Sequence, residues 1–121
     1  DIKEGLKTIL EAIELVKRGV SIFIFPEGTR NKNESELELL EFHGGSFKIA
    51  QKAGCPIVPV AMNNTGEIWE KQFPKMKPCH VVVEFCEPII MSELDKEDKK
   101  HIGEYTRNII VETLKKNQEL V

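Results

Sequence analysis

The chain has 121 residues, 40% of them hydrophobic and 31% charged, a balance that excludes a disordered polymer and fits one domain with one core. Its formal net charge of −3 argues against nucleic acid as the main partner, because a surface that tracks phosphates needs a basic excess. The three cysteines, Cys55, Cys79 and Cys86, lack CxxC spacing and read as reduced thiols rather than a disulfide framework or a metal site.

Leu6, Ile9, Leu10, Ile13 and Val16 recur at helical spacing, with Lys3, Lys7, Glu11, Glu14 and Arg18 on the other side. The pattern predicts an amphipathic helix whose stripe faces a core, and Gly19 supplies its stop. Residues 20–25 are apolar, β-branched and aromatic and read as a short buried strand. No run of this length crosses a bilayer.

Residues 31–41 are polar and acidic and read as a loop with at most one helical turn. Gly44-Gly45-Ser46 then introduces Phe47, Ile49, Ala50 and Ala53, a short helix closed by Gly54. Residues 57–62 read as a second buried strand. A strand, a crossover with a helix and another strand make a βαβ unit, so the two strands are expected to be parallel. Residues 63–79, with Gly66, Pro74 and Pro78, form a long loop of the kind often found near binding sites; Trp69 and Phe73 in it suit an acyl chain, a membrane, or simple packing onto the domain. Residues 80–86 read as a third strand. Ser92 and Asp95 are expected to cap a last helix with Ile102, Tyr105, Ile109, Ile110 and Leu114 on one face.

The informative stretch is Phe25-Pro26-Glu27-Gly28-Thr29-Arg30, directly after the first expected strand. Pro26 lacks an amide hydrogen and ends a ladder. Gly28 permits a tight turn whose backbone amides can face a ligand. Arg30 can grip a phosphate with two charge-assisted hydrogen bonds. Glu27 can orient that guanidinium or accept a hydrogen bond from a hydroxyl. Taken as chemistry alone, the stretch fits a phosphate cradle or a strand-ending turn with a surface Glu–Arg pair.

These six residues, FPEGTR, resemble the acceptor-binding motif of the glycerolipid acyltransferases, the lysophosphatidic acid acyltransferase family. Phe42, Gly45 and Ala50 match a following segment of that family. Pro56-Ile57-Val58-Pro59-Val60 resembles its Val-Pro strand, and a bulge or strand end beside the cleft would explain Pro59 inside a strand. The likeness runs from Leu6 to about Pro88. It implies an α/β fold with a partly parallel mixed sheet and packed helices, residues 1–121 forming the C-terminal part of a single acyltransferase domain.

The resemblance further implies that Glu27, Gly28, Thr29 and Arg30, with Val58 and Pro59, bind the glycerol-phosphate part of a lysophospholipid such as lysophosphatidic acid. The acyl donor would be a thioester, acyl-coenzyme A or acyl carrier protein, which is a substrate; no metal or other cofactor is implied. The setting would be the cytoplasmic face of a membrane, reached through the parent protein. The family's base lies in a His-x4-Asp motif that is absent here: five positions beyond His43, His80 and His101 stand Lys48, Phe85 and Thr106. The catalytic residues are therefore expected upstream, along with a second acceptor-binding arginine. His43 stands where relatives often carry lysine, and reads as a loop histidine without a task in preference to a phosphate contact. The alternative function is a non-catalytic phosphate- or lipid-binding module.

Overall fold

The computed structural model describes all residues from Asp1 to Val121. Helix α1, Ile2–Lys17, begins where the Asp1 carboxylate accepts the Lys3 amide at 3.0 Å. Ala12 and Ile13 are buried on one side of it, against Ile49 of helix α2, Gly45–Ala53. Gly54 closes α2 at φ +70°, the left-handed conformation that glycine adopts at least cost, with its amide returned to the Ala50 carbonyl.

Helix α2 carries a second packing face. Phe47 meets Ile89 and Ile102 in a second apolar cluster, with Phe42 stacked on it at a ring separation of 6.3 Å. Ile102 begins helix α4, Ile102–Asn117, which lies against strand β1, Val60–Asn63. Helix α2 thus ties α1 on one side to α4 and the sheet on the other.

The sheet has two strands. β1 pairs with β2, Val82–Phe85, in antiparallel register from Val60 opposite Phe85 to Asn63 opposite Val82. An isolated bridge between Ile57 and Ile89 extends the contact. Between that bridge and the Val60–Phe85 pair, one strand advances three residues and the other four, so a bulge sits beside Pro59. Pro59 has no amide to offer a ladder; its carbonyl accepts the Cys86 amide at 2.8 Å. Of the bulge or strand end expected at the Val-Pro step, both features occur: β1 begins at Val60, and the facing strand carries the extra residue.

Two expectations need correction. The sheet is antiparallel, and the βαβ unit with parallel strands does not form. Residues 20–25 pair with no strand; they run extended, with Ile22 packed against the α1–α2 cluster. Phe23 and Phe25 share the opposite face, 5.3 Å apart, and are 59% and 67% exposed. The segment has strand composition, but no neighbouring strand in these residues supplies a ladder, and apolar pattern alone does not create one. The capping expectation also shifts. Asp95 accepts the Asp98 amide at 2.8 Å, but caps a separate short helix α3, Lys96–Lys100, while Ser92 lies in a 3-10 turn, Met91–Glu93. The chain breaks at His101 before α4 begins.

Candidate functional site

The 25–30 turn leaves the extended segment 20–25 beyond Ile24 and closes on itself through a hydrogen bond from the Gly28 amide to the Phe25 carbonyl at 3.1 Å. Gly28 has φ +71°, a conformation that side chains with a Cβ rarely adopt. Space is tight as well: a Cβ there would stand 3.0 Å from two ring atoms of His43, and the ring would have to shift. The His43 amide donates to the Pro26 carbonyl at 2.8 Å, so backbone and ring of His43 both lie on the turn. The histidine therefore has a packing role, which neither sequence reading of it anticipated.

Glu27 is half-buried, and its Oε2 accepts the Leu40 amide at 2.7 Å. From the other side Arg107 of α4 donates to the Leu39 carbonyl at 2.6 Å through Nη2, and to the Leu40 carbonyl at 3.4 Å through Nε. The peptide between Leu39 and Leu40 is thus clamped between the turn and the last helix. The rest of the 31–41 loop is held similarly: Asn31 and Asn33 both donate to the Glu38 carbonyl at 2.7 Å. Glu36 accepts the Asn63 side chain at 2.9 Å and the Asn64 amide at 2.8 Å, joining the loop to the end of β1.

Thr29 and Arg30 are exposed. The Arg30 side chain, 82% exposed, faces Glu70 of the 63–79 loop at 3.9 Å, a separation at which an exposed ion pair contributes little. The guanidinium is free to exchange that partner for an anionic ligand. Val58 is 44% exposed and Pro59 is buried. Neither makes the contacts that join Glu27, Gly28, Leu40 and His43; both lie on the strand that faces the bulge.

Sequence reasoning missed Glu36, Leu40, Glu70 and Arg107. Arg107 carried a signal, being a lone arginine beside the buried Thr106 on a helix whose other cations lie in its last turn. The carbonyls it holds have no signature in sequence. Two open surface depressions, of about 580 and 440 Å³, lie along the outer face of α1 and between Glu41 and the start of α4. Neither includes the 25–30 turn. No helix is long and apolar enough to cross a membrane.

The family profile described as Acyltransferase matches residues 1–63. A 1-acyl-sn-glycerol-3-phosphate acyltransferase of Saccharomyces cerevisiae is 33% identical over 114 residues, 93% of this chain and 37% of that protein. Its Escherichia coli counterpart is 34% identical over 104 residues, 85% of this chain and 40% of that protein. The crystal structure of the 1-acyl-sn-glycerophosphate acyltransferase PlsC from Thermotoga maritima superposes with a TM-score of 0.75 at 28% identity, covering 91% of this chain and 45% of that one. The chain thus spans less than half the length of these relatives.

Proposed function

This chain belongs to the acyltransferase family, and on that premise we propose that it forms the acceptor-binding part of a longer parent enzyme that acylates 1-acyl-glycerol-3-phosphate. The observation that carries this reading is the 25–30 turn: a Gly28 at positive φ with the His43 ring close against it, a Glu27 bonded to the backbone of its own loop, and an Arg30 left outward and weakly paired. Glu27 accordingly acts by shaping the loop, and Arg30 by gripping the acceptor phosphate. Val58 and Pro59 contribute through the bulge that ends the sheet beside them.

In the reaction, the free glycerol hydroxyl attacks the thioester carbonyl carbon. A C–O bond forms, the C–S bond breaks, the hydroxyl proton passes to a base, and the thiol leaves protonated. An alcohol is a poor nucleophile until a base takes that proton, and the developing oxyanion needs hydrogen-bond donors. The base comes from outside these residues. Within them His43 packs on Gly28, and the carboxylate nearest His101 is Glu97, 3.7 Å away on an exposed helical turn. The thioester, carried by coenzyme A or acyl carrier protein, is a substrate, and the chemistry requires no resident metal or organic cofactor. The parent enzyme works at the cytoplasmic face of a membrane, where its lipid acceptor is found.

The absence of a His–Asp pair among these side chains favours a second reading for the chain by itself, a phosphate-binding module without turnover. A thiol-release assay with acyl-coenzyme A and lysophosphatidic acid separates the two. The parent enzyme is expected to turn over and the 121-residue chain is not. A parent that releases no thiol with any acyl thioester would overturn the enzymatic reading.

A further inference from the structure

The 63–79 loop is folded against the usual sense of a surface loop. The Gln72 side chain turns back into the loop. The Gln72 side-chain amide donates to the Glu67 carbonyl and, at 2.9 Å, to the Lys77 carbonyl, while its oxygen accepts the Lys77 amide at 2.7 Å. The Phe73 amide returns to the Trp69 carbonyl at 2.9 Å, and a 3-10 turn, Thr65–Ile68, opens the loop. The loop is therefore closed by its own hydrogen bonds, as compact functional loops are. Its apolar side chains turn outward: Ile68, Trp69, Phe73 and Met76 are 50%, 43%, 63% and 70% exposed. Trp69 and Phe73 meet edge to face at 5.0 Å and form one protruding aromatic pair.

The charge of the loop differs from that of the chain. Both of its carboxylates already face cations, Glu67 with Lys71 at 3.8 Å and Glu70 with Arg30 at 3.9 Å. Lys75 and Lys77 flank Met76, beside the aromatic pair, and set the sign of the loop's outer surface. An exposed aromatic pair and a long apolar side chain, with exposed lysines on either side of Met76 in the sequence, suit the boundary between lipid headgroups and acyl chains, where amphipathic aromatic rings collect and anionic headgroups attract lysine.

We propose that residues 68–77 are a contact with an anionic lipid surface, placing Arg30 at the membrane from which the acceptor is drawn. The proposal deepens the acyl-transfer reading and rests on it only for the use made of the contact. Glu70 links the two sites, since the loop that enters lipid also carries the carboxylate that Arg30 must release on meeting a phosphate.

The test uses the 121-residue chain with phosphatidylcholine vesicles, with and without phosphatidylglycerol. No acyl donor or lysolipid is present, so the result is independent of catalysis. Trp69 is the single tryptophan, and its emission reports the loop alone. With anionic vesicles the emission is expected to move to the blue and to be quenched by lipids brominated on their acyl chains. Lys75→Ser with Lys77→Ser is expected to weaken binding about thirtyfold, the equivalent of about 1 kcal/mol for each lysine. Phe73→Ser with Met76→Ser is expected to remove the quenching. Lys3→Ser with Lys7→Ser, an equal charge change on α1, is expected to change affinity less than about twofold, because these lysines lie outside the contact. Failure to bind, binding with Trp69 emission unchanged, or equal losses from the two lysine pairs would each overturn the proposal. The emission of the unsubstituted chain decides the matter even if a variant fails to fold.

Discussion

The carboxylate of Glu27 accepts the backbone amide of Leu40 at 2.7 Å, thirteen positions further along the chain. A residue that reads in sequence as a ligand for substrate also holds the protein's own backbone, and Arg107 holds the same loop through the Leu39 and Leu40 carbonyls. The 25–30 turn and the last helix therefore share one peptide as their joint.

Glu27→Ala and Arg107→Ala are each expected to lower stability by about 1–3 kcal/mol, the cost of removing a hydrogen-bond partner that carries charge. Because both act on the Leu39–Leu40 peptide, the double variant is expected to lose less than the sum, by about 0.5 kcal/mol or more. Urea unfolding of the four proteins measures this. Strict additivity would mean that the two side chains hold the loop independently. Arg107→Lys is expected to recover little, since a lysine cannot span two carbonyls with the planar fork of arginine.

Gly28→Ala is expected to destabilise by about 1–3 kcal/mol, through a strained positive φ together with the crowding of His43. His43→Ala in the same chain is expected to relieve the crowding and leave the strain, recovering only part of the loss. Full recovery would assign the whole effect to the ring, and no recovery would assign it to the backbone.

Glu84 gives a prediction in pH. Hydrogen bonds from Asn117 at 3.1 Å and Lys116 at 3.0 Å hold its carboxyl below the ordinary value of 4.5. A carboxyl lowered on folding stabilises the native state above its unfolded pKa, and that contribution is lost as pH falls through the folded value. Glu84→Gln is therefore expected to be less stable than the parent chain near neutral pH. The gap should narrow below 4.5 and close at lower pH. A gap constant through the acid range would show that ionisation of Glu84 plays no part.

The helices were legible in sequence because their signals are local: the Leu6-to-Val16 stripe, the Gly54 stop, the Ile102-to-Leu114 face. The break in the ladder at Pro59 was legible, as a bulge or a strand end, for the same reason, since a missing amide is a property of one residue. Sheet sense was not. Residues 20–25 and 57–62 have strand composition, yet pairing is a relation between distant segments, and the partner of β1 proved to be β2. At the site, the Gly28 turn was readable from the FPEGTR stretch, but the burden carried by Glu27 was not, because the Leu40 amide that occupies it belongs to every residue type alike.

The exposed Phe23 and Phe25 face, beside an extended segment with free backbone groups, is a surface that folded proteins usually cover. The isolated chain is expected to self-associate with increasing concentration in sedimentation experiments, and Phe23→Ser with Phe25→Ser to reduce that association. A compact monomer at all concentrations with a high melting temperature would contradict this reading of the segment.

We propose that Arg30 grips the acceptor phosphate. The most direct measurement is kcat/KM of the parent enzyme and of its Arg30→Ala variant, with lysophosphatidic acid and with the same acceptor lacking its phosphate. A loss of about 2 kcal/mol or more, roughly thirtyfold, is expected for the phosphorylated acceptor and a much smaller loss for the other. Equal losses for the two acceptors would contradict it.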